Sequence, residues 1–239
     1  MVPEPQLLIL AAEKRELAGI PAAPVAAPVV RFLAEATLNN QPTLLAANGP
    51  GRSNAAAALT ALADLHPLSA VVSVGYVGAL DPSFAIGDIV IPSDIRAAHS
   101  KVEYPVSLQV VPPNDVRFQT GRLVTIDRVA QTADEKRTLA RDHAASAVDM
   151  EASAVFETAQ ALGLPAAAVR VVSDRAEVDF PFDFNRARRP DGTFSGWKIV
   201  RQAGWKPYDW RRLLQLKRDA DVASRSLTAF LSQCRFQTQ

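Results

Sequence analysis

Most of the features that announce a metal, a disulfide or a membrane span are missing from this sequence. One cysteine, Cys234, stands among 239 residues, so no internal disulfide can form, no thiolate cluster can hold zinc, and a reducing compartment is expected. The three histidines, His66, His99 and His143, show no ligand spacing and fall in stretches that read as surface helices or loops. No Gly-x-Ser-x-Gly elbow is present, which removes the usual signature of a serine hydrolase. The apolar run from Leu7 to Ala12 is too short to cross a bilayer and follows Glu4 rather than a basic stretch, so it reads as neither anchor nor signal peptide, and the expected location is the cytoplasm. Charge of one sign is lacking too. With 26 basic against 25 acidic residues there is no overall field to recruit nucleic acid or an anionic membrane, and neither is an expected partner. Arg186-Ala-Arg-Arg189 reads as a solvated loop segment, and Trp197, Trp205 and Trp210 as packing residues rather than a base-stacking platform.

What is present is a succession of short apolar runs separated by helical patterns. Leu7 to Ala12, Thr43 to Ala47, Ala70 to Val74, Asp88 to Ile91, Leu123 to Ile126 and Ala166 to Val172 each read as a buried strand. Continuous apolar character without strict alternation is what a mostly parallel sheet covered on both faces requires, and this predicts an α/β layer architecture in one domain over 1–239. Ser53 or Asn54 is placed to cap an alanine-rich helix, Thr132-Ala-Asp-Glu135 has capping-box spacing, and Gly163-Leu-Pro165 stops the helix that begins near Glu151. Toward the C-terminus, Ser195 would cap a short helix ending at Gly204. A longer helix follows Pro207, with Trp210, Leu213, Leu214, Leu227 and Phe230 forming an apolar stripe expected to pack on the core. Prolines at 21, 24 and 28 suggest an irregular surface connection, and 174–195 reads as a long loop of the kind that carries binding elements.

Three segments lie where a strand ends, the edge at which open α/β sheets receive ligands. Gly75 and Gly78 let a backbone approach a flat ligand closely, or simply form a tight turn. Asp149 and Glu151 flank Met150 at a strand-to-helix junction. Either the helix N-terminus attracts the carboxylates, or Glu151 accepts hydrogen bonds from a pair of sugar hydroxyls while Met150 packs beneath the ring. Asp174 directly follows an apolar strand. Partial burial would raise its pKa and make it a general acid, whereas the alternative role is to cap the next turn.

Taken together, the three segments resemble the purine nucleoside phosphorylase and uridine phosphorylase superfamily, and within it the methylthioadenosine/S-adenosylhomocysteine nucleosidases. The resemblance rests on Gly75-Tyr-Val-Gly-Ala-Leu-Asp-Pro82 followed by Ile86-Gly-Asp-Ile-Val90, on Val148-Asp-Met-Glu-Ala152 and on Val172-Ser-Asp-Arg-Ala-Glu177, and it extends from the first strand to about Asp183. It implies a three-layer phosphorylase-like fold with a central mixed, mostly parallel sheet flanked by helices, no cofactor or metal, a homodimer, and a purine nucleoside as substrate in a role of the methionine-salvage type. It further implies that Asp174, helped by Ser173, protonates N7 of the base. The segment Asp149, Met150 and Glu151 would bind the ribose, with Glu151 on its hydroxyls and Met150 against the sugar. Val77 and Gly78 would line the base, Val129 and Ala130 would occupy the stacking position, and Phe182 would close over the base or sugar. Glu16 would activate the attacking water, with Glu13 the competitor if the register slips. An acid on the leaving group and a base on water are what an oxocarbenium-like cleavage needs.

Relative to the phosphorylases of that superfamily, Tyr76 replaces a small hydroxyl residue and Ser73 stands where some members carry a phosphate-binding arginine, so the resemblance favours hydrolysis. Phosphorolysis stays open through Asn48-Gly-Pro-Gly-Arg-Ser53, a glycine-rich turn with Arg52 that can cradle an anion. A nucleoside-binding protein without turnover is the rival from another class.

Overall fold

The structure is a computed structural model that describes residues 4–203 and 207–238; the expected helix end at Gly204 and the side chain of Trp205 lie outside the described residues. In chain order the elements are β1 (Gln6–Ala11), a single 3₁₀ turn (Lys14–Leu17), β2 (Ala23–Pro24), β3 (Phe32–Leu38), β4 (Gln41–Ala47), α1 (Arg52–Leu65), β5 (Leu68–Ala79), β6 (Ile89–Ala97), β7 (Glu103–Pro105), β8 (Leu108–Val111), β9 (Phe118–Thr125), α2 (Ala133–His143), β10 (Ala147–Asp149), α3 (Ala152–Ala161), β11 (Ala166–Asp174), α4 (Phe184–Ala187), α5 (Gly196–Ala203), α6 (Pro207–Leu231) and β12 (Arg235–Thr238).

One mixed sheet runs β10-β9-β6-β11-β5-β1-β4-β3-β2. Its centre is parallel, since β1 pairs in parallel with β4 and β5, and β5 with β11. Strand β10 also pairs antiparallel with β5, Val148 opposite Gly78, so the sheet curls until β5, β11, β6, β9 and β10 close on one another. Successive side chains point to opposite faces of a strand. Along β1, Leu8 and Leu10 therefore join a core with α1 and α3, while Leu7 and Ile9 join one built on Leu227, Phe230 and Leu231 of α6. Burial on both faces explains the unbroken apolar runs and gives the three-layer α/β arrangement.

Several sequence expectations are corrected. The glycines at 75 and 78 do not turn the chain; β5 runs straight through them because β11 and β10 continue to hydrogen-bond it. Neither Ser53 nor Asn54 caps α1. Gly51, at φ 104°, is the cap, and the Asn54 amide donates instead to the carbonyls of Pro50 and Asp191. Strand β3 escaped notice because Glu35 and Thr37 interrupt its apolar pattern. It forms a hairpin with β4 through Asn39 and Asn40, both left-handed, as a tight two-residue turn demands. The proline-rich connection carries the two-residue edge strand β2, and 174–195 contains α4 and a bridge between Arg188 and Phe194. The stripe on α6 is core only in its C-terminal half: Leu227 and Phe230 are buried, whereas Trp210 and Leu214 are exposed. Thr132 does cap α2, accepting from Glu135 N, and α3 ends before Gly163.

Candidate active site

Because β1, β5 and β11 run parallel, their C-terminal ends share one edge of the sheet, and there a cavity of about 690 Å³ opens. That size suits a small organic ligand. The chain crosses this edge several times, bringing residues from distant parts of the sequence together.

Asp174 is the last residue of β11. The register of β11 against β5 slips between Val172, opposite Val77, and Asp174, opposite Gly78, so Ser173 is an extra residue that bends the strand end. The Asp174 carboxyl then lies across Gly78. A Cβ at position 78 would stand 2.9 Å from Asp174 Oδ2 and 3.2 Å from Val148 Cγ1, which is the physical reason for glycine there. The Ser173 hydroxyl lies 2.9 Å from Asp174 Oδ1 and 3.2 Å from the Val77 carbonyl. Lys136, a buried residue of α2, places Nζ 2.5 Å from Asp174 Oδ2 and 2.7 Å from the Arg175 carbonyl. Burial raises the Asp174 pKa, and the pull of Lys136 and Ser173 in the other direction does not cancel it.

Glu16 arrives from the 3₁₀ turn after β1. Its Oε2 accepts from the backbone N–H groups of Ala12 and Glu13, at 2.9 and 2.8 Å, which fixes the carboxylate. Its Oε1 lies over Gly75, where a Cβ would come within 3.2 Å, and Gly75 adopts φ 152°. Burial pushes the Glu16 pKa up to about 7. Glu13 also borders the cavity, but its side chain is partly exposed and paired with Arg15 at 2.6 Å.

The segment Asp149, Met150 and Glu151 joins β10 to α3. Glu151 is the residue just before the helix; its Oε1 accepts from Gly51 N at 2.6 Å, and burial, with Asp149 nearby, pushes its pKa up to about 8. Met150 lines the cavity beside it. Asp149 borders the cavity as well, but both its oxygens are committed to the protein. Oδ1 accepts from Thr125, and Oδ2 from Ala152 N and the Arg170 guanidinium, with 2.7 Å to Nη2. Arg170 in turn donates to the Ser73 carbonyl and hydroxyl, so a buried arginine from β11 occupies the place beside Ser73.

Val77, Gly78, Val129 and Ala130 all line the cavity. Asn185 of α4 clamps the Val129 backbone, accepting from its N–H and donating to its carbonyl. Phe182 does not line it: Asp183 caps α4 and Phe182 turns into the protein, 4% exposed, so Phe180, Phe184 and Phe194 form the aromatic wall instead, with Phe180 and Phe184 edge to face at 5.0 Å. Tyr76 lines the opposite side with the Arg15 guanidinium 5.3 Å from its ring centre, and Leu213 and Leu216 of α6 complete an apolar wall. Lys136 and Arg170 were missed by sequence reading. Each left a signal: Lys136 precedes Leu139 and Ala140 by three and four residues, where the inner face of α2 continues, and Arg170 is the one charge in the apolar run Ala166 to Val172.

Comparison with known proteins identifies the family and the fold. The family model of the phosphorylase superfamily matches residues 4–114 and 108–190. A curated 5′-methylthioadenosine/S-adenosylhomocysteine nucleosidase of Staphylococcus aureus is 26% identical over 170 residues, covering 62% of this chain and 75% of its own. Among solved structures, the nucleosidase of that name from Helicobacter pylori superposes with a TM-score of 0.66 at 15% identity, covering 94% of this chain and 97% of its own. The futalosine hydrolase of the same organism superposes at 0.65 and 15% identity, covering 94% and 96%. On the extent of the family match and the shared fold, the chain belongs to the phosphorylase superfamily.

Proposed function

We propose that this chain is an N-glycosidase that hydrolyses a purine nucleoside of the methylthioadenosine/S-adenosylhomocysteine type. The observation that carries the reading is the pair of carboxyl groups, partly buried Asp174 across Gly78 and buried Glu16 over Gly75, facing one cavity with pKa values raised by desolvation. Two titratable groups so poised supply an acid for the leaving group and a base for water. Two of the relatives named above are 5′-methylthioadenosine/S-adenosylhomocysteine nucleosidases and the third is a futalosine hydrolase, which supports the same reaction class.

In this mechanism the base lies between Val77, Gly78 and the Val129-Ala130 wall, and Glu151 accepts hydrogen bonds from the ribose hydroxyls above Met150. Asp174 gives its proton to N7 as the C1′–N9 bond breaks and its electron pair moves onto the purine. The new Asp174 carboxylate is stabilised by Lys136 at 2.5 Å. Water adds to the oxocarbenium carbon and its proton passes to Glu16. The apolar wall from α6 favours an apolar 5′-substituent such as a thioether. Hydrolysis is preferred over phosphorolysis on electrostatic grounds. Glu16, ionised when it works as the base, raises the cost of bringing a phosphate dianion into a cavity where Arg15 is already paired with Glu13 and Arg128 with Glu135. A homodimer in the cytoplasm completes the proposal.

The test is a panel of purine nucleosides scored for free base with and without phosphate. The expected result is phosphate-independent release of adenine from methylthioadenosine or S-adenosylhomocysteine, abolished in Asp174→Asn. Release that requires phosphate would assign the phosphorylase reaction, and tight binding without release under either condition would assign a binding protein.

A further inference from the structure

The chain is electrically balanced as a whole but not along its length. Between residues 196 and 218 lie seven of its 26 basic residues and one of its 25 acidic ones, Asp209, while the remainder holds 19 basic against 24 acidic. The same stretch is unusually apolar at its surface. Among the described residues five large hydrophobic side chains are more than half exposed, and three of them, Trp197 (72%), Tyr208 (64%) and Leu214 (54%), belong to α5 and α6. Val200 follows Trp197 by one turn and Leu214 follows the exposed Trp210 by one turn, so each helix presents an apolar pair on one side. Exposed Lys198, Arg201, Arg211 and Arg218 flank these pairs. Ile199 and Leu213, on the same two helices, line the cavity, which places the patch at its rim.

We propose that the α5–α6 face docks on an anionic lipid bilayer surface, with Trp197, Val200 and Leu214 entering the headgroup region and the flanking basic residues on the lipid phosphates. Charge complementarity selects this occupant. A second copy of the chain would bring an equally basic patch against this one in a two-fold contact, which like charges oppose. Nucleic acid would meet the cations but offers nothing to the aliphatic Val200 and Leu214. Aromatic and aliphatic groups beside lysine and arginine on one helical surface are the combination that interfaces bind. No helix among the described residues is long and apolar enough to cross a membrane, so the contact is peripheral.

Co-sedimentation of the full chain with vesicles of phosphatidylcholine alone and of phosphatidylcholine with phosphatidylglycerol tests the proposal without requiring turnover. The chain is expected to sediment with the anionic vesicles only, and less as salt rises. At about fivefold per basic residue near such a surface, Arg211→Gln with Arg218→Gln should weaken partitioning about 30-fold. Trp197→Ser with Leu214→Ser should abolish it, with thermal melting unchanged in both variants. Equal sedimentation with both vesicle types, or undiminished binding by the Arg211/Arg218 variant, overturns the proposal. So does light scattering that shows Trp197→Ser with Leu214→Ser splitting a dimer that never bound vesicles, or stronger binding to a random oligonucleotide than to the anionic vesicles.

Discussion

Replacing Glu16 with glutamine separates the catalytic role of this carboxylate from its cost to the fold, because the two move in opposite directions. The pKa of Glu16 is raised from the ordinary 4.5 to about 7 by burial. A carboxyl whose folded pKa is raised keeps its stabilising contribution below the unfolded value and loses it as pH climbs through the folded one. At about 1.4 kcal/mol per pH unit the loss across this window amounts to about 3 kcal/mol, complete by about pH 8. Glutamine never ionises, and its carbonyl can still accept from Ala12 N and Glu13 N as Oε2 does. Glu16→Gln should therefore be more stable than the parent at pH 8, by up to about 3 kcal/mol, and within about 1 kcal/mol of it at pH 5. Activity should respond the other way. Loss of a general base costs about 10²- to 10⁴-fold. In the parent, kcat/KM should fall about tenfold per pH unit below about 7 as Glu16 takes up its proton. Glu13→Gln is the control, since that side chain is partly exposed and paired with Arg15, and it should stay within a few fold of the parent. Urea melts at pH 5 and 8 with pH-resolved initial rates decide the matter. If Glu16→Gln keeps activity within tenfold, or Glu13→Gln is the one that abolishes it, the assignment of the base is wrong.

Three further outcomes follow from the same geometry. Lys136→Met removes a cation 2.5 Å from Asp174, worth about 1.5–3 kcal/mol as a charged hydrogen bond, so the Asp174 limb of the pH–rate profile should move up by about 1–2 pH units and the rate at pH 7 should fall; an unchanged profile would refute the pairing. Gly78→Ala sets a methyl group 2.9 Å from Asp174 Oδ2, and displacing the acid by a fraction of an ångström to an ångström should lower kcat about 10²-fold with little change in thermal melting. Arg170→Leu leaves Asp149 buried without its counter-charge and should cost about 3–5 kcal/mol in urea melts, whereas a cost under about 1 kcal/mol would mean the pair is not structural.

The sequence by itself determined the layer architecture, because runs such as Leu7 to Ala12 and Ala166 to Val172 are apolar on both strand faces and only a sheet covered twice accommodates them. It also marked Ser173-Asp174 and Met150-Glu151 as strand-end segments, but only the first reaches the cavity edge through parallel strands; Met150-Glu151 arrives there because β10 folds back antiparallel onto β5, which runs on through Gly75 and Gly78. Tertiary structure alone decided what each side chain does there. Nothing local distinguishes Asp149 from Glu151, yet Arg170 from another strand claims the first and leaves the second at the cavity. Glu16 was separated from Glu13 by which carboxylate the 3₁₀ turn folds inward. Phe182 gave way to Phe180 and Phe184 because its ring is buried in the protein while theirs face the cavity, and Lys136 reached Asp174 across 38 positions of chain. The reason is the same in each case: periodicity and capping are set by neighbours a few residues apart, whereas burial, charge pairing and the space for a missing Cβ are set by atoms that only the folded sheet brings within a few ångströms.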